Sequence, residues 1–178
     1  GVPALGGVVE NRWLGQVLLS AVLQDTGIRV LAPNKVVAAK RLVEGYQVEL
    51  EDGDTLEVSL LVAADGAQSS LRQSMGISAQ YEDTGTFALV ANVEILESHH
   101  NVAWDRFLPT GPLALLPLSQ QRLALIWMGP KDYIDELKAL PDAALVEQIT
   151  TLAGEDRIPP LGRVGGRITH PLIATKAV

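Results

Sequence analysis

Residues 60–72, LLVAADGAQSSLR, set the strongest constraint on the fold. Leu60, Leu61, Val62, Ala63 and Ala64 read as the end of a strand spanning Leu56–Ala64 and buried on both faces. That run stops at Asp65-Gly66. Ser69 then suits the N-cap of a short helix to Met75, which Gly76 stops. A buried strand that turns through glycine into a helix N-terminus is a recurring way to meet a nucleotide. The first helical N–H groups carry partial positive charge, glycine admits close backbone approach, and a carboxylate at a strand's end can accept hydrogen bonds from ribose. By pattern alone, Asp65-Gly66 is equally an ordinary turn and Ser69 an ordinary cap.

The flanking sequence predicts a helix after Asn11, with Trp13, Leu14, Val17, Leu18, Ala21 and Val22 on one face, ending at Gly27. Strands are predicted at Ile28–Leu31, Lys35–Ala39 and Tyr46–Leu50, with Asp52-Gly53 as a hairpin turn. From about residue 80 the pattern changes. Strand-like segments at 86–95, 102–107, 113–116 and 123–127 lie close together, as in an antiparallel sheet. A helix follows at Pro141–Ala153, with Leu145, Ile149 and Leu152 on one face, then a strand at Arg163–Ile173 interrupted by Pro171. This divides the chain into residues 1–79 and 80–178. The expected class is α+β with an α/β part: a piece of a nucleotide-binding domain, then an antiparallel-sheet domain.

Composition narrows the function. A net charge of −7 argues against a general nucleic-acid surface, which would need a basic face. The absence of cysteine removes disulfides and thiolate metal sites. Hydrophobic residues make up 47% of the 178, enough for a packed core. No apolar run reaches the length of a membrane span. The chain opens Gly-Val-Pro and closes Thr-Lys-Ala-Val, ends expected of a piece cut from a longer protein.

Asp65-Gly66-Ala67-Gln68-Ser69-Ser70-Leu71-Arg72 matches D-G-x-x-S-x-x-R throughout. It resembles the Asp-Gly motif of the class A flavoprotein aromatic hydroxylases. Val9-Glu10-Asn11-Arg12-Trp13-Leu14 is similar to the segment that supplies an FAD-contacting arginine in that family. Arg106-Phe107-Leu108-Pro109-Thr110-Gly111-Pro112-Leu113-Ala114-Leu115-Leu116-Pro117-Leu118 resembles the G-P-x-A-x-L-P-L segment of the hydroxylases of ubiquinone biosynthesis. The three segments stand in family order, and the resemblance covers nearly the whole chain.

The resemblance implies an FAD/NAD(P)-binding-like hydroxylase fold and a monooxygenase with FAD as cofactor and NAD(P)H as reductant. Dioxygen and a polyprenyl phenol would be its substrates. Cofactor contacts would come from Arg12 near the FAD phosphates, Val36 near the adenine end, Asp65 and Gly66 beside the ribose and pyrophosphate, and Ser70. Arg72 would brace the helix. Phe107, Leu113, Leu115 and Trp127 would line an apolar substrate pocket, although periodicity fits a plain core as well. The family's G-x-G-x-x-G turn and its later G-D or G-N segment are not in this sequence, so the isolated piece is expected to bind FAD poorly and to be inactive. Leu60–Ala64 would then form an unpaired strand edge, covered by dimerisation or rearrangement. The likeness also implies a cytoplasmic protein, peripheral at the inner membrane, in homo-oligomers or assembled with other ubiquinone-biosynthesis proteins.

Other candidates carry less. Adjacent His99 and His100 cannot face one way on a strand, so a polar loop is expected rather than a metal site. His170 reads as a hydrogen-bonded structural residue, Asp52, Asp54 and Glu57 as hairpin charges, and 132–136 as a solvated turn or helix start. No nucleophile–base pair is recognisable, which fits chemistry carried by a cofactor. Alternatives are a salicylate-type hydroxylase, an FAD-linked halogenase, or a non-catalytic module holding an apolar ligand or partner.

Overall fold

A computed structural model describes residues 4, 6–118 and 121–177. The chain divides into two compact units: residues 16–82 with the chain from 174 onward, and the chain up to residue 15 with residues 83–173.

In the first, an antiparallel sheet runs β1 (Val36–Arg41), β2 (Tyr46–Leu50), β3 (Thr55–Val58). The β2–β3 turn falls on Asp52-Gly53, where Gly53 takes φ +91°. Asp52 fixes it by accepting from the Asp54 N–H (3.1 Å) and from Asn34 Nδ2 (2.6 Å). Val48 and Leu50 of β2 are buried. Helix α2 (Ser70–Ser74) follows the Asp-Gly turn, with Ser69 at its N-cap and Gly76 at φ +72° just beyond it.

Of the strands expected here, one forms only in part and another does not form. β3 stops at Val58, and residues 60–64 are irregular, with Leu60 and Val62 more than two-thirds exposed. Residues 28–31 are irregular too. An apolar run becomes a strand only where a neighbour supplies the ladder, and the described residues supply none. Helix α1 spans Asn11–Gln24, but its apolar face is open: Trp13, Leu14, Val17 and Leu18 are all exposed.

The second unit is built on a sheet of order β5 (Trp104–Leu108), β6 (Gly111–Pro117), β7 (Arg122–Pro130), β4 (Ala79–Ile95), β8 (Leu161–Val164), with β9 (Ile168–Ala177) also paired to β4. Cross-strand rows Leu113–Trp127–Leu89 and Leu115–Leu125–Ala91 lie on one face. All six side chains are buried, together with Ile134 and Leu137 of α3 (Lys131–Ala139) and Leu145 and Ile149 of α4 (Asp142–Ala153). The period of two puts alternate residues on the opposite face. There, Asp105–Ala114–Ile126–Val90 form a row, with Leu116, Ala124 and Met128 nearby in register. The middle of that face is apolar but only half-buried, with Asp105, Asn92 and Glu94 exposed around it.

Of the two readings for 132–136, the helix start holds: these charges lie in the first turns of α3. Its C-terminal carbonyls are capped by Arg167, whose Nη1 donates to Lys138 (2.9 Å) and Leu140 (2.5 Å), while Nη2 pairs with Asp142. His99 is buried in the loop after β4: its Nδ1 accepts from the Asn101 N–H (2.9 Å), which leaves Nε2–H to donate to the Leu118 carbonyl (2.8 Å). It is a loop clamp, and no metal cluster occurs among the described residues. His170 is exposed on β9 rather than tied into a core.

Candidate functional site

The three polar positions that define the D-G-x-x-S-x-x-R motif, Asp65, Ser69 and Arg72, are each bonded within the loop. The Asp65 carboxylate accepts from the Ser69 hydroxyl and, at 3.3 Å, from the Leu71 N–H. The Ser69 oxygen accepts from the Arg72 N–H at 2.9 Å, capping α2. Arg72 Nη2 donates to the Ala67 carbonyl (2.8 Å) and lies 2.7 Å from the Tyr81 hydroxyl, which reaches the same carbonyl at 3.1 Å. Gly66 makes the turn at φ +85°. The spacing of the motif is thus explained first by loop architecture, and Arg72 braces the turn.

The Ser69 hydrogen bond, with the Leu71 and Ser70 N–H groups, holds the Asp65 carboxyl below the ordinary aspartate range and outweighs desolvation. Asp65 therefore stays ionised at neutral pH, exposed at the surface. Nothing lies within 4 Å of where a Gly66 Cβ would stand, so its backbone is open to a close approach. A cavity of about 370 Å³, within the range of small-molecule sites, is lined by Gly66, Ser69, Arg72, Leu61, Ala63 and others. Val36 and Ser70 meet at a crevice of about 10 Å³, space for backbone contact only.

Arg12 belongs to the other unit. Its side chain is 63% exposed at the head of α1, 3.5 Å from Glu10 and stacked over Trp13 at 5.2 Å. Sheet parity separates the four residues expected to line a substrate pocket. Phe107 stands on the open face, 81% exposed, whereas Leu113, Leu115 and Trp127 lie on the core face beneath α3 and α4. Residues of the open face, such as Ala114, Ile126 and Met128, are the ones that sequence periodicity could not single out. Leu123 to Met128 is apolar throughout, so the sequence carries no alternation to say which parity the helices would cover.

No protein-family model matches the chain. It is 34% identical over 168 residues to ubiquinone hydroxylase UbiL of Rhodospirillum rubrum, a match covering 94% of this chain and 39% of that protein. The chain is homologous to the hydroxylases of ubiquinone biosynthesis. A second relative, 3-demethoxyubiquinol 3-hydroxylase of Escherichia coli, is 29% identical over 148 residues, 83% of this chain and 38% of the relative. The chain thus spans about two-fifths of the length of these ubiquinone hydroxylases. Among solved structures, p-nitrophenol 4-monooxygenase PnpA of Pseudomonas putida superposes with a TM-score of 0.68 at 16% identity, over 93% of this chain and 43% of that one. The fold is that of the flavin-dependent monooxygenases and halogenases.

Proposed function

We propose that the protein containing this chain is an FAD- and NAD(P)H-dependent monooxygenase that hydroxylates a prenylated phenol in ubiquinone biosynthesis. The observation that carries this reading is the match to a ubiquinone hydroxylase along 94% of the chain, with its three characteristic segments in order.

The residues present fit FAD. An ionised, exposed carboxylate and an unobstructed glycine suit a ribose and pyrophosphate, and an exposed guanidinium suits a phosphate. In this reading Arg12 holds a phosphate and Asp65 a ribose hydroxyl. Gly66 and Ser70 offer backbone at the helix start, and Val36 borders the adenine. When bound, FAD supplies reducing equivalents taken from NAD(P)H and the activation of dioxygen. The chain's own task is to bind, orient and exclude water. Residues 1–79 serve the cofactor side and residues 80–178 the substrate side.

The half-buried sheet face with Phe107, Ala114, Ile126 and Met128 is the apolar wall for the prenylated ring, and Leu113, Leu115 and Trp127 support that wall from behind. A prenylated methoxyphenol, as taken by a 2-polyprenyl-6-methoxyphenol hydroxylase, fits such a wall. The solubility of such a substrate in lipid calls for contact with a membrane surface. The test is turnover by the full-length protein loaded with FAD. A prenylated methoxyphenol should stimulate NAD(P)H oxidation and yield a hydroxylated product. Consumption of NAD(P)H with no hydroxylated product from any phenol of this class would sink the reading.

A further inference from the structure

We propose that Glu10 is a positioning residue that holds the Arg12 guanidinium in place for the FAD phosphates. The proposal rests on the reading of Arg12 as a cofactor contact. Glu10 stands between two arginines that lie far apart in sequence. One carboxylate oxygen is 3.5 Å from Arg12 Nη2, and the other accepts from Arg122 Nη2, at the start of β7, at 3.2 Å. The side chains grade outward: Glu10 is 15% exposed, Arg122 24% and Arg12 63%. The backbone of Glu10 is fixed as well, since its carbonyl accepts the first helical bonds of α1 from Trp13 N (3.0 Å) and Leu14 N (3.2 Å).

An exposed Glu–Arg contact at 3.5 Å would ordinarily do little. Here the carboxylate is already anchored on Arg122 and on the sheet, so orienting it for Arg12 costs little further freedom. With Trp13 against its other side, the Arg12 guanidinium is held before an anion arrives. A pre-ordered guanidinium loses less entropy on gripping a phosphate than a freely rotating one.

The sign of one measurement separates this role from simple electrostatics. Removing a negative charge near a pyrophosphate should by itself tighten anion binding. Loss of positioning should weaken it. FAD is titrated into the full-length apoprotein by flavin fluorescence, with Arg12→Ala, Glu10→Gln, the double variant and Arg122→Lys, each with its apoprotein melting temperature. Arg12→Ala should weaken FAD binding by about tenfold or more and Glu10→Gln by about threefold to tenfold, in the range of charge-assisted contacts. Glu10→Gln should add no further loss in the Arg12→Ala background. Arg122→Lys keeps the charge but loosens the anchor, and it should weaken binding in the same non-additive way even if Glu10→Gln does not fold. Unchanged or tighter FAD binding in Glu10→Gln, or a loss that adds fully to that of Arg12→Ala, overturns the positioning role. Unchanged binding in Arg12→Ala instead overturns the cofactor reading of Arg12 on which it rests.

Discussion

Gly111→Ala should destabilise the protein by about 3–5 kcal/mol, a loss at the diagnostic end of single substitutions. Gly111 opens β6 directly after the two-residue Pro109-Thr110 turn and pairs with Leu108. Its φ is +139°, a region open to glycine and strained for any residue with a Cβ. A Cβ there would also lie 2.3 Å from the Met128 carbonyl oxygen and 2.8 Å from its carbon. These are backbone atoms of β7 and cannot swing aside, so relief would require moving β6 away from its neighbour. Gly66→Ala is the control. It shares a positive φ, but nothing lies within 4 Å of its would-be Cβ, so only the conformational cost of about 1–2 kcal/mol applies. Urea unfolding midpoints compare the two. Equal losses would mean that β6 and β7 are not in this close register.

The second large effect belongs to Trp127. It is fully buried at the centre of the row Leu113–Trp127–Leu89, with Tyr133 of α3 edge-on at 6.0 Å and 76°. Trp127→Ala should cost about 3–5 kcal/mol, the usual price of an aromatic cavity in a packed core. Ile126→Ala, one residue away on the half-buried face, removes less buried surface and should cost only about 1–2 kcal/mol. In the full-length protein, Ile126→Ala should instead raise the KM for a prenylated phenol. If the two variants lost equal stability, or if Trp127→Ala spared stability and raised KM alone, the assignment of core and open faces would be reversed.

What could be read from the sequence was chiefly local. Asp52-Gly53 marked a turn because few residues tolerate its φ, and Ser69 marked the start of α2 because its hydroxyl caps the helix. The strands between residues 86 and 127 were legible from apolar runs and turn residues, whereas the one expected over Arg163–Ile173 is two, β8 and β9, with Pro171 inside β9. Features set by distant partners were not. Leu60–Ala64 has the composition of a buried strand, but a strand needs a ladder, and none of the described residues pairs with it. The run Leu123 to Met128 is apolar throughout and did not show which face would be covered, because that depends on where α3 and α4 pack. The Glu10–Arg122 pair joins residues 112 apart, and no local pattern announces it. The candidate site divides in the same way. The Asp65 loop was visible because its bonds are all short-range, whereas the support behind Arg12 was not.

Isotopic labelling tests the central claim most directly. The full-length protein, loaded with FAD and given NAD(P)H and a prenylated methoxyphenol under heavy-isotope dioxygen, should release product carrying one heavy oxygen atom in its new hydroxyl group. The same reaction in heavy-isotope water under ordinary dioxygen should leave the product unlabelled. Label arriving from water, or hydroxylated product formed at full rate by the FAD-free protein, would contradict a flavin monooxygenase.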